Sequence, residues 1–161
     1  MLQPAVIDGL AFARSAGVLK GRLGMDSLPR LAQSGCSGAA LDFILSGEIN
    51  ERGKPGLRLA VTGSVRLECQ RCLGEVEWPL RIETQLELAV AEAEMLAADD
   101  DIDRVVAGHD MNVAVLVEDE VILALPMVPK HERCQAAAGA DGDSKPSAFQ
   151  ALAALKKGKF Q

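Results

Sequence analysis

The sequence predicts an α+β fold: an antiparallel β core built on a long hairpin that carries a Cys-x-x-Cys turn, with peripheral helices and a flexible C-terminal tail. Three observations predict it. Residues 57–67 and 76–90 alternate apolar and polar side chains over the length of long strands. The connection between them, "CQRCLG" at 69–74, is short enough to join an antiparallel pair. Further on, "MNVAVLVEDEVILAL" at 111–125 is long enough for a helix and is stopped by Pro126.

Taken in order, residues 6–33 read as short helical pieces around the glycine-marked "VLKGRLGM" at 18–25. Asp26 or Ser27 caps the second piece, and Pro29 suits its first turn. Leu41, Phe43, Leu45 and Ile49 then alternate with Asp42, Ser46 and Glu48, as in a half-buried strand, and "NERGKPG" at 50–56 is a turn. In the first hairpin strand Leu57, Leu59, Val61, Val65 and Leu67 share one parity. In the second, Val76, Trp78, Leu80, Ile82, Leu86, Leu88 and Val90 share one, against Glu75, Glu77, Arg81, Glu83, Gln85 and Glu87. Residues 91–109 are acidic and Ala-rich, a loop or frayed helix, and Asp110 is placed to cap the helix that follows, although "NVAVLV" also suits a strand. Residues 1–134 are thus expected to form one α+β domain. Residues 135–147, "QAAAGADGDSKPS", have too few bulky apolar groups to pack and read as a flexible linker. Residues 148–161 read as a short amphipathic basic tail, with Phe149, Leu152 and Leu155 near one helix face and Lys156, Lys157 and Lys159 after them.

Composition narrows the function. The chain has 161 residues, 48% of them hydrophobic, enough for one core without staples. No apolar run approaches the ~18 residues of a membrane helix, and the start lacks the order of a signal peptide, so a cytoplasmic location is expected. In that reducing compartment the four cysteines are thiols or ligands rather than disulfides. Residues 36–134 hold 9 Lys/Arg against 19 Asp/Glu, a net of −10, while 1–35 and 135–161 each hold 4 basic against 2 acidic residues. Such a body is either a solvated surface or one that attracts a basic protein, such as a ribosomal one, while its ends touch RNA. Aromatic content of 3% with no Tyr argues against base stacking.

The cysteines carry the sharpest question. A thiol-disulfide site usually sets its pair at a helix N-terminus, but Cys72 is followed by Leu73, Gly74 and another strand, which disfavours redox catalysis. A metal knuckle is a Cys-x-x-Cys-x-Gly turn between strands, with amides donating to the thiolates and the glycine taking a strained angle; Cys69, Cys72 and Gly74 have that spacing. "HERC" offers His131 and Cys134, so the candidate set is Cys69, Cys72, His131 and Cys134, with 58 residues between the two pairs. If the set closes, zinc is the ion expected, and four protein ligands make the site structural. The competing reading makes Cys69 and Cys72 small apolar fillers at a hairpin tip and leaves His131 and Cys134 in a loop. Cys36 reads as an ordinary buried or loop thiol.

Other constellations are absent from the sequence. No glycine-rich phosphate loop with Lys and no nucleophile-elbow serine is present. His109 reads as a solvated loop residue, and Glu118, Asp119 and Glu120 read as a solvated helical face, since consecutive residues point to different sides. No catalytic residue and no small-molecule substrate are expected.

Three segments, "LECQRCLGEVEWPL" at 67–80, "VEDEVILALPMVPKHERC" at 117–134 and "KPSAFQALAALK" at 145–156, resemble in order and spacing the YceD family of large ribosomal RNA subunit accumulation proteins. The tail departs from the usual pattern in one place, where Ala148 stands for a proline. The resemblance implies a non-catalytic bacterial factor for processing and accumulation of large-subunit (23S) ribosomal RNA and for ribosome assembly. Its partners would be precursor large-subunit rRNA or ribosomal proteins. Arg71, exposed between the two sulfurs, and Phe149, Leu152, Leu155, Lys156 and Lys157 are the expected partner contacts. The alternatives are a zinc-bearing protein-binding module outside ribosome assembly, or a dithiol oxidoreductase.

Overall fold

Alternation in the sequence becomes a five-stranded main sheet with one dry face. The structure is a computed structural model and describes residues 5–96 and 102–134. The strands are β1 (Val6–Ile7), β2 (Val18–Gly24), β3 (Gly38–Ile49), β4 (Pro55–Glu68), β5 (Glu75–Ala89), β6 (Arg104–Val106) and β7 (Met111–Asn112). The helices are α1 (Gly9–Arg14), α2 (Pro29–Gln33), α3 (Glu92–Leu96) and α4 (Val113–Ala124). The main sheet runs β2-β3-β4-β5-β6, and β1 pairs separately with β7. β2 to β5 are antiparallel neighbours, with β4 and β5 paired as the hairpin reading expects, but β6 joins β5 in parallel, so the sheet is mixed.

The register explains the core. Leu59 lies opposite Leu45 and Thr84, Val61 opposite Phe43 and Ile82, and Val65 opposite Ala39 and Trp78. Leu57, Leu59, Val61, Val65 and Leu67 of β4 are all buried, together with Leu41, Phe43 and Leu45 of β3. Ala13 of α1, Leu31 of α2 and Val113, Val117 and Val121 of α4 complete the same cluster. The even-numbered side chains of β4, including Arg58, Thr62 and Arg66, stay outside it. Gly63 interrupts the apolar parity for a steric reason: its φ is +148°, and a Cβ there would strike the Ala40 carbonyl. Gly47 likewise lets the α1 backbone at Phe12 and Ala13 lie directly on β3.

Several elements differ from the sequence expectation. "VLKGRLG" is strand β2 and not a spacer between helical pieces. Leu19, Gly21 and Leu23 share its inner parity, and Gly21 hides the pattern because the Phe43 ring occupies the place of its missing side chain. Residues 104–106, within the stretch read as loop or frayed helix, form β6, while α3 accounts for its helical part. The helix after it begins at Val113 with Asn112, not Asp110, as its cap: Asn112 Oδ1 accepts from the Ala114 amide at 2.9 Å. The expected linker 135–147 and tail 148–161 lie outside the described residues.

The start of α2 is met from far along the chain. Pro29 opens it as expected, but neither Asp26 nor Ser27 caps it; the cap position is Leu28, without a side-chain bond. Instead Glu118 Oε1 of α4 accepts the Leu31 amide at 2.9 Å, and its Oε2 takes the Arg30 guanidinium at 3.0 Å. Glu118 is only 2% exposed, so it does not sit on a solvated face. Arg30 also pairs with Asp119, which remains at the surface.

His109 is exposed but paired, its Nδ1 lying 2.6 Å from Asp8 Oδ2 while Asp8 Oδ1 caps α1 through the Ala11 amide. Hydrogen bonding to Asp8, then its charge, raises the His109 pKa; the Ala11 amide, then His109, lowers that of Asp8. The histidine's contribution is complete below its unfolded value near 6.5 and is lost as pH rises through its higher folded value. The aspartate's contribution is present above its unfolded value near 3.9 and is lost as pH falls through its lower folded one. This clasp is therefore fullest between about pH 4 and 6.5. An NMR titration of His109 is expected to give a midpoint above the ordinary histidine value that falls in Asp8→Asn, while the Asp110 charge stays in place. An unchanged midpoint in that variant would contradict the pairing.

Candidate metal centre

The β4–β5 hairpin delivers one half of the centre. Cys69 follows the last residue of β4, and the chain reverses over 70–74 with the Cys69 amide donating to the Gly74 carbonyl at 2.8 Å and the Leu73 amide to the Cys69 carbonyl at 2.9 Å. The positive φ falls on Leu73, at 61°, and not on Gly74, which corrects the expected role of the glycine. A Cβ at Gly74 would meet Cys72 Sγ at an ordinary 3.5 Å. Leu73 is largely exposed, and its left-handed backbone costs roughly 1–2 kcal/mol from the clash of Cβ with the carbonyl.

The loop after α4 delivers the other half. Pro126 ends the helical run, and the Pro129 carbonyl accepts the Gln70 amide at 2.9 Å, pinning the loop to the hairpin tip. That contact closes the long sequence gap. The ligand atoms of Cys69, Cys72, His131 and Cys134 all lie within 4.8 Å of one another, with Cys69 buried and the others half-buried. Cys69 Sγ is 3.7 Å from Cys134 Sγ, and Cys72 Sγ is 3.3 Å from His131 Nδ1. Tetrahedral zinc with Zn–S bonds of ~2.3 Å has S···S edges of about 3.8 Å. The cluster is therefore already near the required size.

The histidine is oriented for the task. His131 Nε2 donates to the Glu75 carbonyl at 2.9 Å, which turns Nδ1 toward the sulfurs. The Glu75 carbonyl is a contributor that sequence reasoning misses, because any residue supplies a carbonyl. Arg71 is half-buried rather than exposed: Nε donates to Cys134 Sγ at 3.0 Å and Nη2 to the His131 carbonyl at 2.8 Å. The other expected partner contacts, Phe149, Leu152, Leu155, Lys156 and Lys157, lie outside the described residues.

Electrostatics separates the sulfurs. Burial opposes ionisation of Cys69, but the backbone amides of Cys72, His131 and Arg71 outweigh it and bring the thiol down to about 5. Burial also resists ionisation of Cys134, and hydrogen bonds from Arg71 and His131 overcome it. At Cys72 the Gly74 amide favours the thiolate, yet burial and the neighbouring Cys69 and Cys134 sulfurs push its pKa up. His131 is held protonated to higher pH by Cys134, then Cys69, then the Glu75 carbonyl. Negative charge is thus crowded at one point, and a central divalent cation would relieve the conflict by taking all three sulfurs as thiolates. Cys36 stays apart, a buried thiol whose pKa burial raises.

A protein-family model, described as "Large ribosomal RNA subunit accumulation protein YceD", matches residues 57–156, a span that takes in both halves of the centre. No curated protein and no solved structure matches the chain. Among the described residues, no helix is long and apolar enough to cross a membrane.

Proposed function

We propose, since the chain belongs to the YceD family of large ribosomal RNA subunit accumulation proteins, that it is a non-catalytic cytoplasmic factor for processing and accumulation of large-subunit rRNA during ribosome assembly. In this reading the centre holds one structural zinc through Cys69, Cys72, His131 Nδ1 and Cys134. The observation that carries it is the convergence of three sulfurs and one oriented imidazole within 4.8 Å. A full set of four protein ligands leaves no position for a reacting water, so the ion would supply rigidity and not chemistry. The Cys69 and Cys72 sulfurs also sit on a hairpin tip and not at a helix N-terminus, which supports a ligand role over dithiol redox turnover.

The acidic body suits a basic protein partner, and the residues beyond Cys134 add Phe149, Leu152, Leu155, Lys156 and Lys157 as contacts to precursor rRNA or ribosomal proteins. Complementation in depleted cells tests this. Wild type is expected to restore large-subunit rRNA, Cys72→Ala to fail together with a lowered melting temperature, and a chain ending at Cys134 to fail at nearly unchanged stability. Full rRNA accumulation with both variants would count against the reading.

A further inference from the structure

Arg71 lies between the two hairpin cysteines, where a solvent-facing side chain would be unremarkable, yet its guanidinium turns inward. It bonds Cys134 Sγ at 3.0 Å and the His131 carbonyl at 2.8 Å. One side chain therefore joins the hairpin half of the centre to the loop half, and both acceptors belong to the loop half. The two acceptors differ in kind, one a sulfur and one a carbonyl oxygen. A planar fork with separate donors reaches both at once, whereas a lysine offers a single point charge.

The charge count gives the fork a second task. Three thiolates and a neutral imidazole around a divalent cation leave one net negative charge. Cys69 is fully buried, and holding uncompensated charge in such a place is unfavourable. His131 is itself a ligand and cannot supply the cation. Lys130 and Arg133 flank it in sequence but are exposed, and Arg71 is the cation hydrogen-bonded to a ligand sulfur among the described residues.

Resting on the zinc reading above, we propose that Arg71 is the counter-charge and clasp of the metal centre: it neutralises the three-thiolate set, holds Cys134 in place, and so governs how long the metal is kept. Loss of such outer partners commonly lowers metal affinity by about 10–100-fold. The guanidinium is then committed to the centre and is not available as a contact for a partner.

The test uses the full chain loaded with zinc, as wild type, Arg71→Met and Arg71→Lys. Zinc transfer to excess chelator is timed, and iodoacetamide labelling of Cys134 is read by peptide mass spectrometry against Cys36 as internal reference. Fluorescence of Trp78, the single tryptophan, reports on the sheet. Arg71→Met is expected to lose zinc roughly 10-fold faster or more, with Cys134 labelling rising relative to Cys36 and Trp78 unfolding little changed at saturating zinc. Arg71→Lys should fall between the two, since it keeps the charge and loses the fork; it carries the test if the Met variant does not fold. Wild-type release and labelling in the folded variants would overturn the role of Arg71 while leaving the zinc reading intact. A wild-type chain that takes up no zinc would overturn the zinc reading itself.

Discussion

Removing zinc with a chelator, or replacing Cys69 by Ala, is expected to lower the melting temperature more than any surface substitution. Metal that binds only the folded chain stabilises it by RT ln(1 + [L]/Kd), about 4 kcal/mol when zinc stands at 1,000 times its Kd. For a chain of this size that is a fall of roughly 10 °C or more. The effect is concentrated at the centre because, among the described residues, the other hydrogen bonds that join the loop half to the hairpin are few: the Gln70–Pro129 contact, the His131–Glu75 bond and the two Arg71 bonds. Restoring zinc should recover the wild-type melt, whereas Cys69→Ala should not respond to it. Scanning calorimetry with and without zinc checks this, and a melting temperature indifferent to both changes would contradict a structural metal.

The second large effect is expected at Glu118. Its carboxylate serves the Leu31 amide and the Arg30 guanidinium together, and Leu31 is fully buried. Glu118→Ala leaves that amide without an acceptor and opens a small cavity, at a cost of about 3 kcal/mol. Glu118→Gln keeps an acceptor for the amide and loses only the charge-assisted part, so about 1 kcal/mol is expected. Arg30 is half exposed and can turn to water, which keeps both values below those for a fully buried ion pair. Urea unfolding should rank wild type above Gln above Ala. Equal midpoints for Ala and wild type would remove Glu118 from any capping role.

These two predictions differ in how far the sequence anticipates them. The candidate ligand set is legible because ligand chemistry restricts residue type: few side chains bind zinc, and two pairs of them, each with two residues between, stand out. The hairpin is legible because a strand half-buried on one face enforces parity, as Leu57 to Leu67 display. Where one residue breaks the parity the signal weakens, and β2 is hidden by Gly21 because the filling ring comes from Phe43 on a different strand. β6 is three residues long, too short for any period to register. Glu118 and Arg71 are the instructive cases. Both are charged residues of kinds common on surfaces, and their inward turn depends on an amide at Leu31 and a sulfur at Cys134 that only folding brings near. A pattern read along the chain carries no information about hydrogen-bond partners that lie about 60–90 residues away in sequence.

Zinc K-edge X-ray absorption on the purified full chain tests the metal centre most directly. The account predicts about one zinc per chain with a first shell of three sulfurs at ~2.3 Å and one imidazole nitrogen at ~2.0–2.1 Å, and the loss of one sulfur in Cys134→Ala. A chain that stays free of zinc after refolding with it, or a first shell dominated by oxygen, would contradict it.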